Sequence, residues 1–276
     1  MDDSKMALLV DAHVHIYDCF DLDALFDAAD RNFTRAAQRL GLDGAPREGM
    51  LLLTETVNDH AFDAMAAGKL KPKRWRVATT AEPAVLKVTL EGRPPLWMVA
   101  GRQIATREDL EVLALGTTAR FPDGEPISTS LAASDQSAAM TALPWGFGKW
   151  WGQRGGIIER LMTAPRKRPL YGGDNGGRLA WSTRPRLLRL GERVGVKILP
   201  GTDPLPFAGQ EVRVGGFGMM IPGWKSSDRP LQQLVASLAD APASPVEFGG
   251  LTGVSAFVRL QFAMQMRKRR RGSART

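Results

Sequence analysis

Apolar positions along this chain recur with two periods, one of strands and one of helices, and the two alternate. Ala7–Val14, short and mostly apolar, reads as the first strand. Leu22, Leu25, Phe26, Ala29, Phe33, Ala36, Ala37 and Leu40 then fall at helical spacing, with Asp21 or Asp23 placed to cap the helix and Gly41 to end it. Residues 50–54 form a second strand pattern, and a weaker helix covers 61–67. Further strand patterns lie at 76–80, 84–90, 96–100 and 110–115. An Ala- and Ser-rich stretch at 128–140 has helical character. Strands over 143–147, 169–172 and 196–199 are separated by helices over 154–162 and 185–193. Residues 212–221 are Gly-rich and extended, and helices over 231–238 and 254–266 close the chain.

Seven or more strands with intervening helices predict an α/β architecture. The count and the 276-residue length fit a (β/α) TIM-like barrel, closed or incompletely closed. An open doubly wound sheet is the alternative. No internal repeat or long linker divides the chain, so a single domain over residues 1–266 is expected.

Composition changes this picture little. Apolar residues make up 43% and charged residues 24%, ordinary for a globular chain. No apolar run approaches the roughly 20 residues of a membrane span. The acidic N-terminus lacks the basic and apolar regions of a signal peptide. The single cysteine, Cys19, excludes an intrachain disulfide, suits a reducing cytoplasm, and is expected to be a small buried residue. The net charge of +8 is concentrated at one end: residues 267–276 carry six basic side chains and no acid, and 8 − 6 leaves about +2 for the body. Such a tail can contact nucleic acid or an anionic membrane, but a solvated, disordered terminus is the simpler expectation.

The first strand carries the strongest chemical signal. In Val10-Asp11-Ala12-His13-Val14-His15, alternation puts Asp11, His13 and His15 on one face and Leu8, Val10, Ala12 and Val14 on the other. Two imidazoles about 7 Å apart along a strand can converge on one ion. The chain has three histidines and places two of them here.

This segment resembles the opening strand of the amidohydrolase superfamily and of the PHP phosphoesterases, in which the His-x-His pair binds metal. Leu199-Pro200-Gly201-Thr202-Asp203-Pro204, about 190 residues later, resembles the Gly-(Ser/Thr)-Asp segment that closes the amidohydrolase site. The resemblance implies that Asp203 binds metal and takes a proton from the attacking water. Asn58-Asp59-His60 is similar to the Thr-Asp-His segment that follows the second strand in PHP proteins. With His60 the only other histidine, the full ligand set of either family is absent. A smaller site remains: His13, His15 and Asp203, with Glu55, His60 or Asp174 as further candidate ligands.

Two glycine-rich segments fall after strand patterns. Residues 144–156 combine glycines with Trp145, Trp150, Trp151 and Lys149; residues 172–178 set four glycines around Asp174, Asn175 and Arg178. Both can bring polar or aromatic groups to a ligand, and both can be packed loops or surface turns. The expectation is a hydrolase with one divalent ion, zinc or manganese. It would cleave a C–N, ester, lactone or phosphoester bond of a small-molecule substrate, anionic or saccharide. Asp203 would be the general base, and Lys149 or Arg178 would hold an anionic group. The competing reading is a degenerate barrel that binds a saccharide or a partner protein without catalysis.

Overall fold

A computed structural model of the chain describes residues 6–42, 44–45, 47–177 and 184–250. The described elements run β1 (Ala7–Val14), α1 (Leu22–Arg39), β2 (Arg47–Leu53), α2 (Ala61–Ala66), β3 (Arg76–Thr79), β4 (Val85–Thr89), β5 (Leu96–Val99), β6 (Gly101–Ala105), β7 (Glu111–Leu115) and α3 (Ile127–Ser137). They continue with β8 (Met140–Trp145), α4 (Gly152–Thr163), β9 (Leu170–Asp174), α5 (Arg186–Arg193), β10 (Ile198–Pro200), β11 (Phe217–Pro222), α6 (Pro230–Asp240) and β12 (Val246–Gly249). A 3-10 turn, Gln210–Arg213, precedes β11. Asp21 is the N-cap of α1, accepting from the Ala24 amide. Asp23, the other candidate, instead accepts from the amides of Lys73 and Arg74.

The strands form two sheets, ordered β12-β11-β1-β2-β5-β4-β3 and β10-β9-β8-β7-β6, and neither closes on itself. The TIM-like barrel predicted above is therefore incorrect. Its premise was a parallel strand after each helix, but β3, β4 and β5 pair antiparallel in sequence, as do β6, β7 and β8, and β11 runs antiparallel to β1. Parallel pairing is confined to β1–β2–β5 and β8–β9–β10.

The apolar residues sort into layers accordingly. Leu25, Phe26 and Phe33 of α1 and Phe62 of α2 pack with Leu9, Leu51 and Leu53 on the outer face of the larger sheet. Ile127, Leu131, Ile158 and Leu188 of α3, α4 and α5 cover the smaller sheet through Val112, Ala114 and Ile198. Between the sheets lie Leu8, Val10, Met50 and Leu52 against Leu113, Leu115, Ala142 and Leu199, joined by Leu231, Leu234 and Leu238 of α6. Each Leu, Ile, Val, Met or Phe among them contributes about 1.5–3 kcal/mol on burial. β1 is buried along its whole length, which is why Ala7–Val10 reads as apolar on both faces before the polar Asp11 and His13.

Among the buried carboxylates outside the histidine cluster, one binds two indoles. Glu48 on β2 is buried and accepts from the indoles of Trp97 (2.8 Å) and Trp224 (2.7 Å) and from the Ser226 hydroxyl (2.8 Å). Glu48→Ala leaves two buried N–H groups without an acceptor, so urea unfolding should show a loss of roughly 3 kcal/mol. A loss under about 1 kcal/mol would mean that water replaces the carboxylate.

Among the described residues, no helix is long and apolar enough to cross a membrane. The closing helix at 254–266 and the basic tail at 267–276 lie outside the described residues.

Candidate metal centre

The site begins with an irregularity in β1. Its pairing with β2 runs Asp11↔Leu51 and then Val14↔Leu53, three steps against two, so β1 carries a bulge. The bulge breaks the alternation that the sequence implied. Val14 joins Leu9, Leu51 and Leu53 on the α1 side instead of Leu8, Val10 and Ala12. Asp11 and the histidines also part company. The Asp11 carboxylate accepts from the Thr202 amide (2.8 Å) and hydroxyl (2.6 Å), the Gly215 amide (2.8 Å) and the His13 amide (3.3 Å). Burial pushes its pKa up to about 6 against those four donors. Asp11 thus anchors the chain after β10 to β1.

That anchor sets the position of Asp203. Gly201 packs so closely that a Cβ there would lie 2.2 Å from the His13 backbone nitrogen. The Asp203 amide donates to the His13 carbonyl at 2.8 Å. Asp203 has φ +44°, in the left-handed region, a conformation costing a non-glycine residue about 1–3 kcal/mol and concentrated at functional sites.

Three side-chain atoms converge. His13 Nε2 and His15 Nε2 are 3.2 Å apart, and each is 3.5 Å from Asp203 Oδ1. Both histidines are buried, while the Asp203 side chain is 24% exposed and marks the open side of the cluster. Asn175 donates to Asp203 Oδ2 at 2.9 Å. Gln103 of β6 places Oε1 3.2 Å from His13 Nε2, and the Thr54 hydroxyl lies 3.4 Å from His15 Nε2. His15 also stacks on Tyr17, with centroids 5.4 Å apart.

Burial, and after it the neighbouring His13, lowers the pKa of His15 to about 4, so this imidazole is neutral at pH 7. Burial alone would raise the pKa of Asp203. The two imidazoles, the Asn175 amide and the Lys149 charge more than offset it and hold the carboxyl below its ordinary range. The cluster thus joins a neutral imidazole, an ionised carboxylate and a second imidazole at the end of β1.

The donor set fits a divalent cation. Ligand atoms about 2.0–2.1 Å from zinc in a tetrahedron are about 3.3–3.4 Å from one another, close to the 3.2, 3.5 and 3.5 Å edges here. The set is also rich in acceptors. With Gln103 Oε1 included, four heteroatoms face one another with at most two imidazole protons between them, a deficit that a cation removes. One feature departs from the usual metal histidine: His15 Nδ1 is buried without a hydrogen-bond partner, where such residues usually have one.

Other residues predicted for the site are placed elsewhere. Glu55 is buried in an ion pair with Arg102 and accepts from the Phe62 amide at 2.7 Å, so its carboxylate is fully engaged away from the histidines. His60 is exposed at the start of α2, with Nδ1 2.9 Å from Arg120 Nη1. Asp174 is buried at the end of β9 and accepts from the Gly176 amide at 3.1 Å; it is outside the three-residue cluster. Lys149 is ion-paired with Glu111 and contributes to the field at Asp203. Arg178 lies outside the described residues. Cys19, expected to be buried, is exposed. In the aromatic loop, Trp145 and Trp150 are buried, whereas Trp151 and Phe147 are exposed and meet edge to face at 5.3 Å.

Sequence reasoning missed Gln103, Thr54 and Arg213, and named Asn175 only as part of a glycine-rich segment without a role. Arg213 is partly buried, and its charge is felt by both Asp203 and Asp11. Asn175 carried a signal, in that it sits among glycines directly after a strand. Gln103 carried none, because β6 itself was not recognised.

No family model matches the chain, and no curated protein matches it. Among solved structures it is similar to PsfC from Pseudomonas syringae PB-5123, at 14% identity and a TM-score of 0.48, over 95% of this chain and 98% of that one. A likeness at that level defines neither fold nor function.

Proposed function

We propose that the chain is a metal-dependent hydrolase, with His13, His15 and Asp203 holding one divalent cation, zinc or manganese. The observation that carries this reading is the near-equilateral triangle of two imidazole nitrogens and one carboxylate oxygen. A cation bound there supplies Lewis-acid polarisation of a scissile carbonyl or phosphoryl group and acidifies water. The residues do the rest. Neutral His15 needs no deprotonation to act as a ligand. Asn175 donates to Asp203 Oδ2 and fixes the carboxylate so that Oδ1 faces the histidines as the cation's donor, while Oδ2 keeps a lone pair able to take a proton. Lys149 and Arg213 give this mouth a positive field suited to an anionic substrate group or to charge that develops during reaction. The exposed Phe147–Trp151 pair beside Lys149 suits a ring-bearing substrate.

The test is elemental analysis of the purified protein together with a panel of phosphoester, amide and lactone substrates. About one equivalent of metal, and an activity lost on chelation and restored by zinc or manganese, is expected. Metal-free protein that takes up neither ion would overturn the reading.

A further inference from the structure

We infer that Gln103 is a fourth donor of the cation site and that the Glu111–Lys149 ion pair orients it; this rests on the metal reading of His13, His15 and Asp203. A glutamine amide presents oxygen or nitrogen depending on how its end is turned, and its surroundings decide which. Here they leave one choice. Gln103 lies 3.1 Å from Glu111 Oε1 on one side and 3.2 Å from His13 Nε2 on the other. Glu111 is ion-paired with Lys149, and an ionised carboxylate only accepts. The Gln103 amide nitrogen must therefore face Glu111, which forces Oε1 toward the imidazoles.

The 3.2 Å separation from His13 Nε2 equals the His13–His15 edge of the triangle, so Oε1 lies at ligand-to-ligand spacing from one of the three donors. A neutral amide oxygen leaves the site's charge unchanged. It is also the weakest donor of the four, and the one that can yield its place to water or to a substrate oxygen. Lys149, read from the sequence as a substrate-binding residue, thereby gains a different task. It pairs with Glu111, and Glu111 accepts from the amide. Both are positioning residues.

Calorimetric titration of zinc into the intact chain tests this. Gln103→Leu should bind zinc about 10–100-fold more weakly, the range seen when ligand support is lost. The unfolding midpoint of the metal-free protein should not change. Glu111→Gln, which removes the group that sets the amide's direction, should also weaken binding. The exchange pair Gln103→Glu with Glu111→Gln keeps an oxygen toward the histidines and a hydrogen bond between the two positions, and should bind at least as tightly as the parent. With cobalt(II) in place of zinc, the visible ligand-field bands should change in Gln103→Leu, an effect that a merely structural role would not produce. Parent-like zinc binding by Gln103→Leu, with binding abolished in His13→Ala, overturns the role of Gln103 and leaves the metal site standing. Undiminished binding in His13→Ala overturns both. Should Gln103→Leu fail to fold, the exchange pair decides: retained affinity supports the role, and loss overturns it.

Discussion

Zinc should raise the melting temperature of this protein, and His13→Ala or His15→Ala should abolish the increase. A ligand that binds only the folded state stabilises it by about 2.7 kcal/mol at 100 times its dissociation constant. For a chain of this size, 1 kcal/mol moves the midpoint by about 2–4 °C, so a shift of roughly 5–10 °C is expected. The two histidines are not equivalent. Burial keeps His15 neutral, and its Nδ1 is unpartnered, so His15→Ala removes an imidazole already costly to bury and should perturb the metal-free protein little. His13 lies on the bulge, and its backbone carries contacts to Asp11 and Asp203 that survive truncation of the ring. Both variants should therefore fold while losing at least about 100-fold in zinc affinity, the upper end of the effect of outer-shell changes. A zinc-induced shift of parent size in either variant would show that the ion binds elsewhere, and the metal reading of the triangle would fall.

Two segments of the site could be read from the sequence because each is local. The His-x-His pair falls at the end of a short, mostly apolar strand. Gly201-Thr202-Asp203 follows the last short parallel strand. What escaped depends on pairing between distant strands. The bulge at Ala12–His13 has no glycine to announce it, and it turns Val14 to the face opposite Ala12. β6 reads Gly101-Arg102-Gln103-Ile104-Ala105, with a single strong strand former, so its two chemical residues went unseen. Arg102 then explains the misplacement of Glu55. A carboxylate at the end of β2 resembles a ligand until its buried counter-ion is known.

The barrel expectation failed on a signal that was present. Residues 80–84 join β3 to β4 and residues 90–95 join β4 to β5. Connections of that length serve antiparallel neighbours, whereas parallel ones need a dozen residues or more. Counting strands without weighing the distance between them turned hairpins into barrel units.

Gly201→Ala should be among the most damaging small substitutions in the molecule, through space rather than backbone conformation, since Gly201 is absent from the positive-φ glycines. Its Cβ would lie 2.2 Å from the His13 nitrogen, 2.6 Å from its Cβ and 2.8 Å from its Cα. The nitrogen and Cα are backbone atoms of the bulge, so no side-chain rotation relieves the overlap. The segment after β10 must withdraw from β1 by something near 1 Å. Withdrawal stretches the Thr202 and Asp203 amide bonds to Asp11 and His13 together, leaving a buried carboxylate short of donors. Overpacking alone costs about 1–3 kcal/mol, and the strained hydrogen bonds add to it. A loss of about 3 kcal/mol or more is expected, lowering the melting temperature by roughly 6–12 °C. Asp203 moves with the segment, so the zinc-dependent shift should shrink by more than stability alone accounts for. Gly250→Ala provides the contrast: a Cβ there meets nothing within 4 Å, and it should melt like the parent. If Gly201→Ala also melts like the parent and keeps the full zinc response, the close approach of β10 to β1 does not position Asp203.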